Sequence, residues 1–456
     1  MSKPSRSPRP DPSRREFLSR SAAAAGAVAA GACASKEVQE VQPDPRPAQR
    51  APEPEPDPIP VAPPKGPLDP DEPIRMGIIG TGGMGNGHLD STLAQIERGE
   101  VNVQVVALAD VCQPRLDEAL AKARDGQQGI EVEGYRNYNE LLARDDVHCV
   151  LVAAPEHWHA QLAVDALTAG KDVYLEKPMT LRLREALWLY DVMRHNPHMR
   201  VQVGTQFMMQ EKYAAAKKLV AEGAIGKPVF SQTSYCRNSK IGEWNYYEVK
   251  PEWQPGPALD WEMWCGPLGS QKWDPLVYAR WRRYRKYSTG IIGDLLVHVM
   301  TPLIYALDAG WPTRVVASGG HYIDKAMENH DQVNIQVEFE TEQTLIVAGS
   351  TCNETGLEIL IRGHEGNIYL GGNNCVLRPE PLFADDIDAK TIECDNSNEQ
   401  EKLRENFWNA VRTREENISQ VEFATKVMVI VDLATRSMWE GGAYKFDPKT
   451  MRAASA

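Results

Sequence analysis

Ile74–Gly85 reads IRMGIIGTGGMG, an apolar run that breaks into glycines. The run has no polar alternation, as expected of a strand buried on both faces. Gly80-Thr81-Gly82-Gly83-Met84-Gly85 then matches G-x-G-x-x-G. Gly80 permits a tight turn, Gly82 lets backbone approach a pyrophosphate, and Gly85 lets the next helix pack on the sheet. The unpaired N–H groups at that helix start attract phosphate charge. The hexapeptide gains its meaning from context: an apolar strand before it, a helix after it, and a second strand ending in an acid.

That acid is Asp110, at the tip of VQVVALAD (103–110). A carboxylate there accepts ribose hydroxyls and repels a 2′-phosphate, so the expected cofactor is NAD rather than NADP. Further apolar runs follow at 148–155, 172–178 and 200–205. Helix-length segments separate them near 84–98, 113–124, 137–144, 158–169 and 181–195. Such alternation predicts an α/β fold with a doubly wound parallel sheet over residues 74–205. From 206 the character changes. Helical 209–222, strand-like 227–236 and a tryptophan-rich stretch lead into alternating apolar and polar runs after 313, which predict an antiparallel sheet with one covered face. Helical segments are expected at 401–414 and 420–440. The tryptophans of 235–290 suit either sugar faces or core packing.

Upstream, Arg14–Ser35 reads RREFLSRSAAAAGAVAAGACAS. Two arginines before a short Ala/Gly-rich run form a twin-arginine type of export signal, expected over residues 1–35. The run is too short to span a membrane. Cys33 is a candidate lipid attachment point. Residues 36–73 are proline-rich and poor in apolar bulk, and read as a linker or as an arm laid on a neighbouring subunit. The expected location is periplasmic, or the outer face of the membrane.

The chain has 456 residues, net charge −13 and eight cysteines. No basic stripe points to nucleic acid. The cysteines show neither zinc spacing nor a disulfide framework, so no metal site is expected.

Two further places carry chemistry. Asp172–Pro178 ends Glu176-Lys177-Pro178, and ligands of open α/β sheets lie beyond strand carboxyl ends. Lys177 is placed there to stabilise a developing alkoxide; a salt bridge to an acid is the plain alternative. In GIIGDLLVHVMTPLIYAL (290–307) the polar exceptions Asp294, His298, Thr301 and Tyr305 share one helical face. Asp294 is expected to fix the His298 ring and raise its basicity, giving a group that moves a hydroxyl proton. A purely structural Asp–His pair is the alternative. Of Arg282, Arg283, Arg285 and Lys286, most are expected to face solvent. Arg282 and Tyr284 are kept as candidate substrate contacts.

GIIGTGGMG, ALADV, AAPEHWH, EKP, GTQ, DWEMWCGP and GIIGDLLVH occur in an order that resembles the Gfo/Idh/MocA oxidoreductases, relatives of glucose–fructose oxidoreductase and inositol dehydrogenase. The resemblance runs from Ile74 to the C-terminus. It implies a Rossmann domain, then over 206–456 an α/β domain with a large open, mostly antiparallel sheet for substrate binding and oligomerisation, and a homodimer or homotetramer. It implies hydride transfer between a tightly held NAD and a carbohydrate or polyol. Lys177, Asp294 and His298 become the catalytic set. Ala154, Pro155, Glu156 and His159 match the family's T-P-[DN]-x-x-H loop, of which Ala154, Pro155 and His159 would contact the cofactor together with Glu176, Lys177 and Gln206. Gln206 would also touch substrate. His157 is expected to be an ordinary surface residue. Phe207 and Met208 replace arginines common in relatives, and Thr289-Gly290-Ile291 replaces three glycines, so the substrate pocket differs. Alternatives are a redox-neutral glycosidase or epimerase acting through a keto-sugar, and a non-catalytic sugar-binding protein. The EKP lysine is often altered in the glycosidases, so Lys177 favours the oxidoreductase, and the intact Lys177, Asp294 and His298 oppose the third reading.

Overall fold

The computed structural model describes residues 59–456. The export signal, Cys33 and the first part of the proline-rich segment lie outside the described residues. Strands β1 (Ile74–Ile79), β2 (Val103–Ala109), β3 (Glu133–Tyr135), β4 (Cys149–Val152), β5 (Asp172–Leu175) and β6 (Val201–Val203) form one parallel sheet. Its order is β3-β2-β1-β4-β5-β6. Chain direction along the sheet reverses between β1 and β4, where a crevice opens beyond the strand tips. Every residue of β4 and β5 is buried, which is why β4 is a continuous apolar run and β5 is one after its first residue, Asp172. Helices Gly83–Glu97, Gln113–Asp125, His159–Thr168 and Leu183–His195 cover the faces. Asn137 caps the short helix Tyr138–Leu142 by accepting from the Asn139 N–H. The edge strand β3 was not expected from the sequence. Glu-Gly-Tyr is short, polar and exposed or half-exposed.

The second sheet joins β7 (Pro228–Cys236), β8 (Pro312–Gly320), β9 (Gln332–Phe339), β10 (Thr344–Ser350), β11 (Leu360–Gly363), β12 (Gly366–Tyr369), β13 (Cys375–Pro379), β14 (Lys390–Ile392), β15 (Ala443–Asp447) and β16 (Arg452–Ser455). These ten strands run β14-β13-β12-β11-β7-β10-β9-β8-β15-β16. All neighbours are antiparallel except β7 and β10, which are parallel. Val333, Ile335 and Val337 of β9 are buried between exposed or half-exposed residues, so one face is covered, as the alternation predicted. Helices Val297–Leu307 and Val421–Glu440 share the core with that face. Among the described residues no helix is long and apolar enough to cross a membrane.

Two connections tie the two sheets together, and an amino-terminal arm lies along the first. Helix Glu399–Thr413 returns to the first domain, where Phe407 packs edge-on against Tyr174 of β5, ring centroids 5.8 Å apart. Residues 59–68 lie along the first domain: Ala62 N–H donates to Asn196 Oδ1 (2.7 Å), and Lys65 Nζ donates to the carbonyls of His148 and Gly170. This end of the proline-rich segment thus lies along the chain's own first domain. The tryptophan-rich stretch is stitched to the tip of β2. Gln113 N–H donates to Ala258 O and Asp260 N–H donates to Val111 O, both at 2.9 Å, around a bridge between Cys112 and Leu259.

Candidate active site

The crevice is a cavity of about 610 Å³. Gly80, Thr81, Gly82, Gly83 and Met84 form one wall; Tyr247, Trp253, Trp264, Tyr278 and Trp281 roof it. Gly80 has φ +91°, and a Cβ there would meet Ala153 and Ala154 backbone at 2.8 Å. A Cβ on Gly85 would sit 1.9 Å from Gly80 O. Gly85 itself is off the wall and serves helix packing. Asp110 is on the wall. Its Oδ2 accepts from Thr81 N–H (2.7 Å) and Thr81 Oγ1 (3.1 Å), and its Oδ1 accepts from Cys112 N–H (2.8 Å). Asp110 therefore also holds the glycine loop, a duty its position in the sequence does not disclose. Arg115 stacks on Trp253 and Tyr278 at 4.5 and 5.3 Å.

Lys177 and Arg282 line the same cavity. Lys177 Nζ donates to Asp294 O and Oδ1, both at 3.0 Å, and Arg282 Nε donates to the same Oδ1 at 2.9 Å. Burial would raise the Asp294 carboxyl, but these two cations hold it well below the usual carboxylate range. Asp294 makes no hydrogen bond to His298, contrary to the expected pair. Two charged donors outcompete a neutral imidazole for one carboxylate. The backbone differs too: Ile292–Leu296 is a π-helical turn leading into helix Val297–Leu307, a distortion common at functional sites. Among the described residues neither ring nitrogen of His298 has a hydrogen-bond partner, and Nδ1 is fully buried. Burial and the Lys177 charge push its pKa down to about 3, the reverse of the expected rise. Tyr305 leaves the stripe, packing near Phe423 and under Lys217 Nζ at 3.9 Å.

Glu176 also lines the cavity, but its oxygens are occupied. His88 Nε2 lies 2.8 Å from Oε1, and Lys177 N–H donates to Oε2 at 3.2 Å. Arg404 Nη1 meets His88 Nδ1 at 3.3 Å. A guanidinium only donates, so Nδ1 accepts and Nε2 carries the proton towards Glu176. Ala154, Pro155 and His159 are on the wall, and His159 places its two nitrogens 2.7 Å from Pro178 O and 2.8 Å from Ala154 O. Glu156 points away, accepting from Ser288 Oγ at 2.6 Å. Burial, then the Asp294 charge, push it up to about 7. His157 is not on the surface: it is buried against Trp264 and Tyr287, with Nε2 2.8 Å from Trp264 O. Gln206 opens the short turn Gln206–Met209 and is not on the cavity wall; its neighbour Phe207 packs on His298, 5.5 Å between centroids. Tyr284 packs in the tryptophan cluster and is likewise off the wall.

Residues 74–205 match the oxidoreductase family with an NAD-binding Rossmann fold, and residues 209–455 match its C-terminal α/β domain. The chain belongs to the Gfo/Idh/MocA oxidoreductase family. Its first domain is accordingly an NAD-binding Rossmann domain. The inositol 2-dehydrogenase of Salmonella typhimurium is 30% identical over 171 residues, 38% of this chain and 48% of that one. An inositol 2-dehydrogenase/D-chiro-inositol 3-dehydrogenase of Lactiplantibacillus plantarum is 27% identical over 171 residues, 38% of this chain and 46% of that one. The chain thus spans about half the length of the curated relatives it matches. An NAD-binding oxidoreductase from Klebsiella pneumoniae superposes with TM-score 0.62 at 19% identity, covering 84% of this chain and 98% of that one. Levoglucosan dehydrogenase in complex with NADH and levoglucosan gives TM-score 0.62 at 19% identity, covering 82% and 99%. At those identities the likeness is one of fold.

Arg115 and Tyr247, on the cavity wall, and His88, which reaches Glu176 from behind it, are residues that sequence reasoning missed. The roof residues come from a stretch with no regular period, and the stitching of 258–260 onto 111–113, with the bonds of His157 and Trp158 to Trp264 O, brings them over the glycine loop.

Proposed function

We propose that this chain is an NAD-dependent dehydrogenase acting on a CH–OH group of a carbohydrate or polyol. The glycine loop fits a dinucleotide. A Cβ on Gly83 would meet nothing within 4 Å, so the loop offers bare backbone at the helix start, where phosphate oxygens bind. Gly80 to Met84 would hold the pyrophosphate, Asp110 a ribose, and Ala154, Pro155 and His159 would lie along the remainder. A nicotinamide bound there supplies the hydride acceptor or donor.

The observation that carries this reading is Lys177 at the cavity wall, with Asp294 taking two of its three N–H groups. The remaining N–H is directed to a substrate oxygen and stabilises it as negative charge develops. His298 is neutral with free nitrogens, as a proton acceptor must be. An alkoxide forming beside Lys177 offsets the positive charge that disfavours imidazolium, so proton uptake by His298 becomes easier as the reaction proceeds.

A fluorescence titration with NAD(H) and NADP(H), followed by a sugar and polyol screen watching nicotinamide absorbance, tests the reading. Tighter NAD(H) binding and turnover of at least one hydroxylated substrate are expected. Equal or reversed nucleotide affinities would remove the role given to Asp110, and no absorbance change with any substrate would remove the dehydrogenase. The leader at Arg14-Arg15 supports a second proposal, export of the folded chain with nucleotide already trapped. Native mass spectrometry of the exported protein should find that nucleotide; empty protein would sink this part.

A further inference from the structure

We infer that the substrate carries a carboxylate and that Arg282 selects it; the inference rests on the dehydrogenase reading above. The segment 282–286 holds four basic residues, Arg282, Arg283, Arg285 and Lys286. The last three are tied to protein. Arg283 donates to both Asp324 oxygens (2.7 and 2.9 Å) and to Glu243 O (2.7 Å). Arg285 Nε donates to Glu328 O at 2.9 Å, and Lys286 donates to Gln271. Arg282 is different. Only its Nε is used, on Asp294, and among the described residues Nη1 and Nη2 have no hydrogen-bond partner. Its guanidinium lies against Trp281 at 4.2 Å and Tyr247 at 5.7 Å, on the cavity wall. The expectation that these basic residues mostly face solvent fails: Arg283 is buried and only Lys286 is exposed, while Arg282 is on the wall, as a candidate substrate contact should be.

Lys177 and Arg282 share one oxygen of Asp294, so two cations meet at a single acceptor and the outer guanidinium N–H groups of Arg282 stay open to a ligand. Glu176 is held by His88 and the Lys177 N–H and takes nothing from Arg282. Two parallel N–H donors on a planar fork, already fixed by stacking, fit a carboxylate bidentately. Trp281 and Tyr247 add flat apolar faces that suit sugar C–H surfaces. The chemical class is therefore a polyhydroxy carboxylic acid, a uronate or an aldonate, with its reacting hydroxyl at Lys177.

Calorimetric binding to the NAD-loaded protein, paired with steady-state kinetics, tests this on matched sets: glucuronate with glucose, galacturonate with galactose, gluconate with glucitol. At least one acid should bind about tenfold or more tighter than its neutral counterpart, the scale of one charge-assisted hydrogen-bonded pair. Arg282→Gln should collapse that preference ratio, and Arg282→Lys should restore part of it by keeping charge without the fork. Neutral members preferred throughout, or a ratio unmoved by Arg282→Gln, would overturn the inference. So would a loss of nucleotide affinity that accounts for the whole Arg282→Gln effect. The two readings fail separately. Acids that bind through Arg282 without turnover sink the dehydrogenase and keep the carboxylate site. Neutral sugars turned over in preference to acids do the opposite.

Discussion

The first sheet has charged groups buried at both ends, and the two ends are finished differently. At the amino end of β5, Asp172 is fully buried, and both its oxygens are taken. Arg200 N–H and Arg414 Nη1 donate to Oδ1 (2.8 and 3.1 Å), while Arg414 Nη2 (2.8 Å) and Lys65 Nζ (2.9 Å) meet Oδ2. At the carboxyl end, five residues further along the chain and just past the strand, Lys177 keeps a donor in hand, as does Arg282, and His298 keeps an unpartnered buried nitrogen. Burying polar groups without partners is costly. The amino-end carboxylate is fully satisfied, with Arg414 Nε alone of its cluster left without an acceptor; the carboxyl end is short by several partners, as a site reserved for a ligand is. Lys177 and Arg282 of the unfinished end line the cavity, and Asp294 and His298 lie behind them, off its wall.

If that contrast is right, damage at the two ends should appear in different measurements. Asp172→Ala leaves Arg414 and Lys65 buried without their counter-charge. It should destabilise the fold by about 3–5 kcal/mol, read as a lower denaturant midpoint, with kcat per folded molecule unchanged. A stable but inactive Asp172→Ala protein would break the comparison. Lys177→Ala should do the converse. Turnover falls by about 10²–10³-fold, while NAD affinity and the denaturant midpoint hold. Residual activity near the starting value would take Lys177 out of the chemistry.

His298 sharpens the contrast through pH. Its folded pKa lies far below the ordinary value of 6.5, near 3. The unfolded chain therefore takes up this proton first as pH falls. The stability that His298 contributes as a neutral buried group is present above 6.5 and is lost progressively as pH drops towards 3. His298→Gln should flatten that acid-side slope in a series of melting temperatures, with a small change at neutral pH. Parallel slopes for the two proteins would show that the ring is not buried neutral.

Much of this was legible in the sequence because local patterns carried it. The glycine loop, the buried strands, Asp110, Lys177 and the polar positions of 290–307 follow from period and position within short windows. What the sequence hid depends on distant pairing. Asp294 and His298 sit four residues apart and invite a pair, yet the charges that claim Asp294 come from residue 177 and from Arg282. His88 reaches Glu176, and Arg404 reaches His88 across 316 residues. Parallel pairing of β7 with β10 was invisible because alternation fixes which face is buried and is silent on strand direction. Gln206 and Tyr284 were placed by resemblance and by proximity in the chain, and neither lies on the cavity wall.

The smallest effect concerns the arm. Lys65 comes from a segment whose composition argues against any fold, yet its ammonium joins two carbonyls and Asp172 at the foot of the sheet. Its side chain is 14% exposed, so the contact is largely shielded from screening solvent. Removing it leaves Asp172 with Arg414 and Arg200, unlike the Asp172 change, which strands two cations. Lys65→Ala should therefore destabilise by only about 1.5 kcal/mol, the lower end for a hydrogen bond to a charged group. Residues 59–68 should become more open to proteolysis. In an Asp172→Asn background the same change should matter less, because part of its partner's charge is already gone. An undiminished effect there would mean that the carbonyls of His148 and Gly170 alone hold the arm, and that the amino-end cluster is two independent contacts.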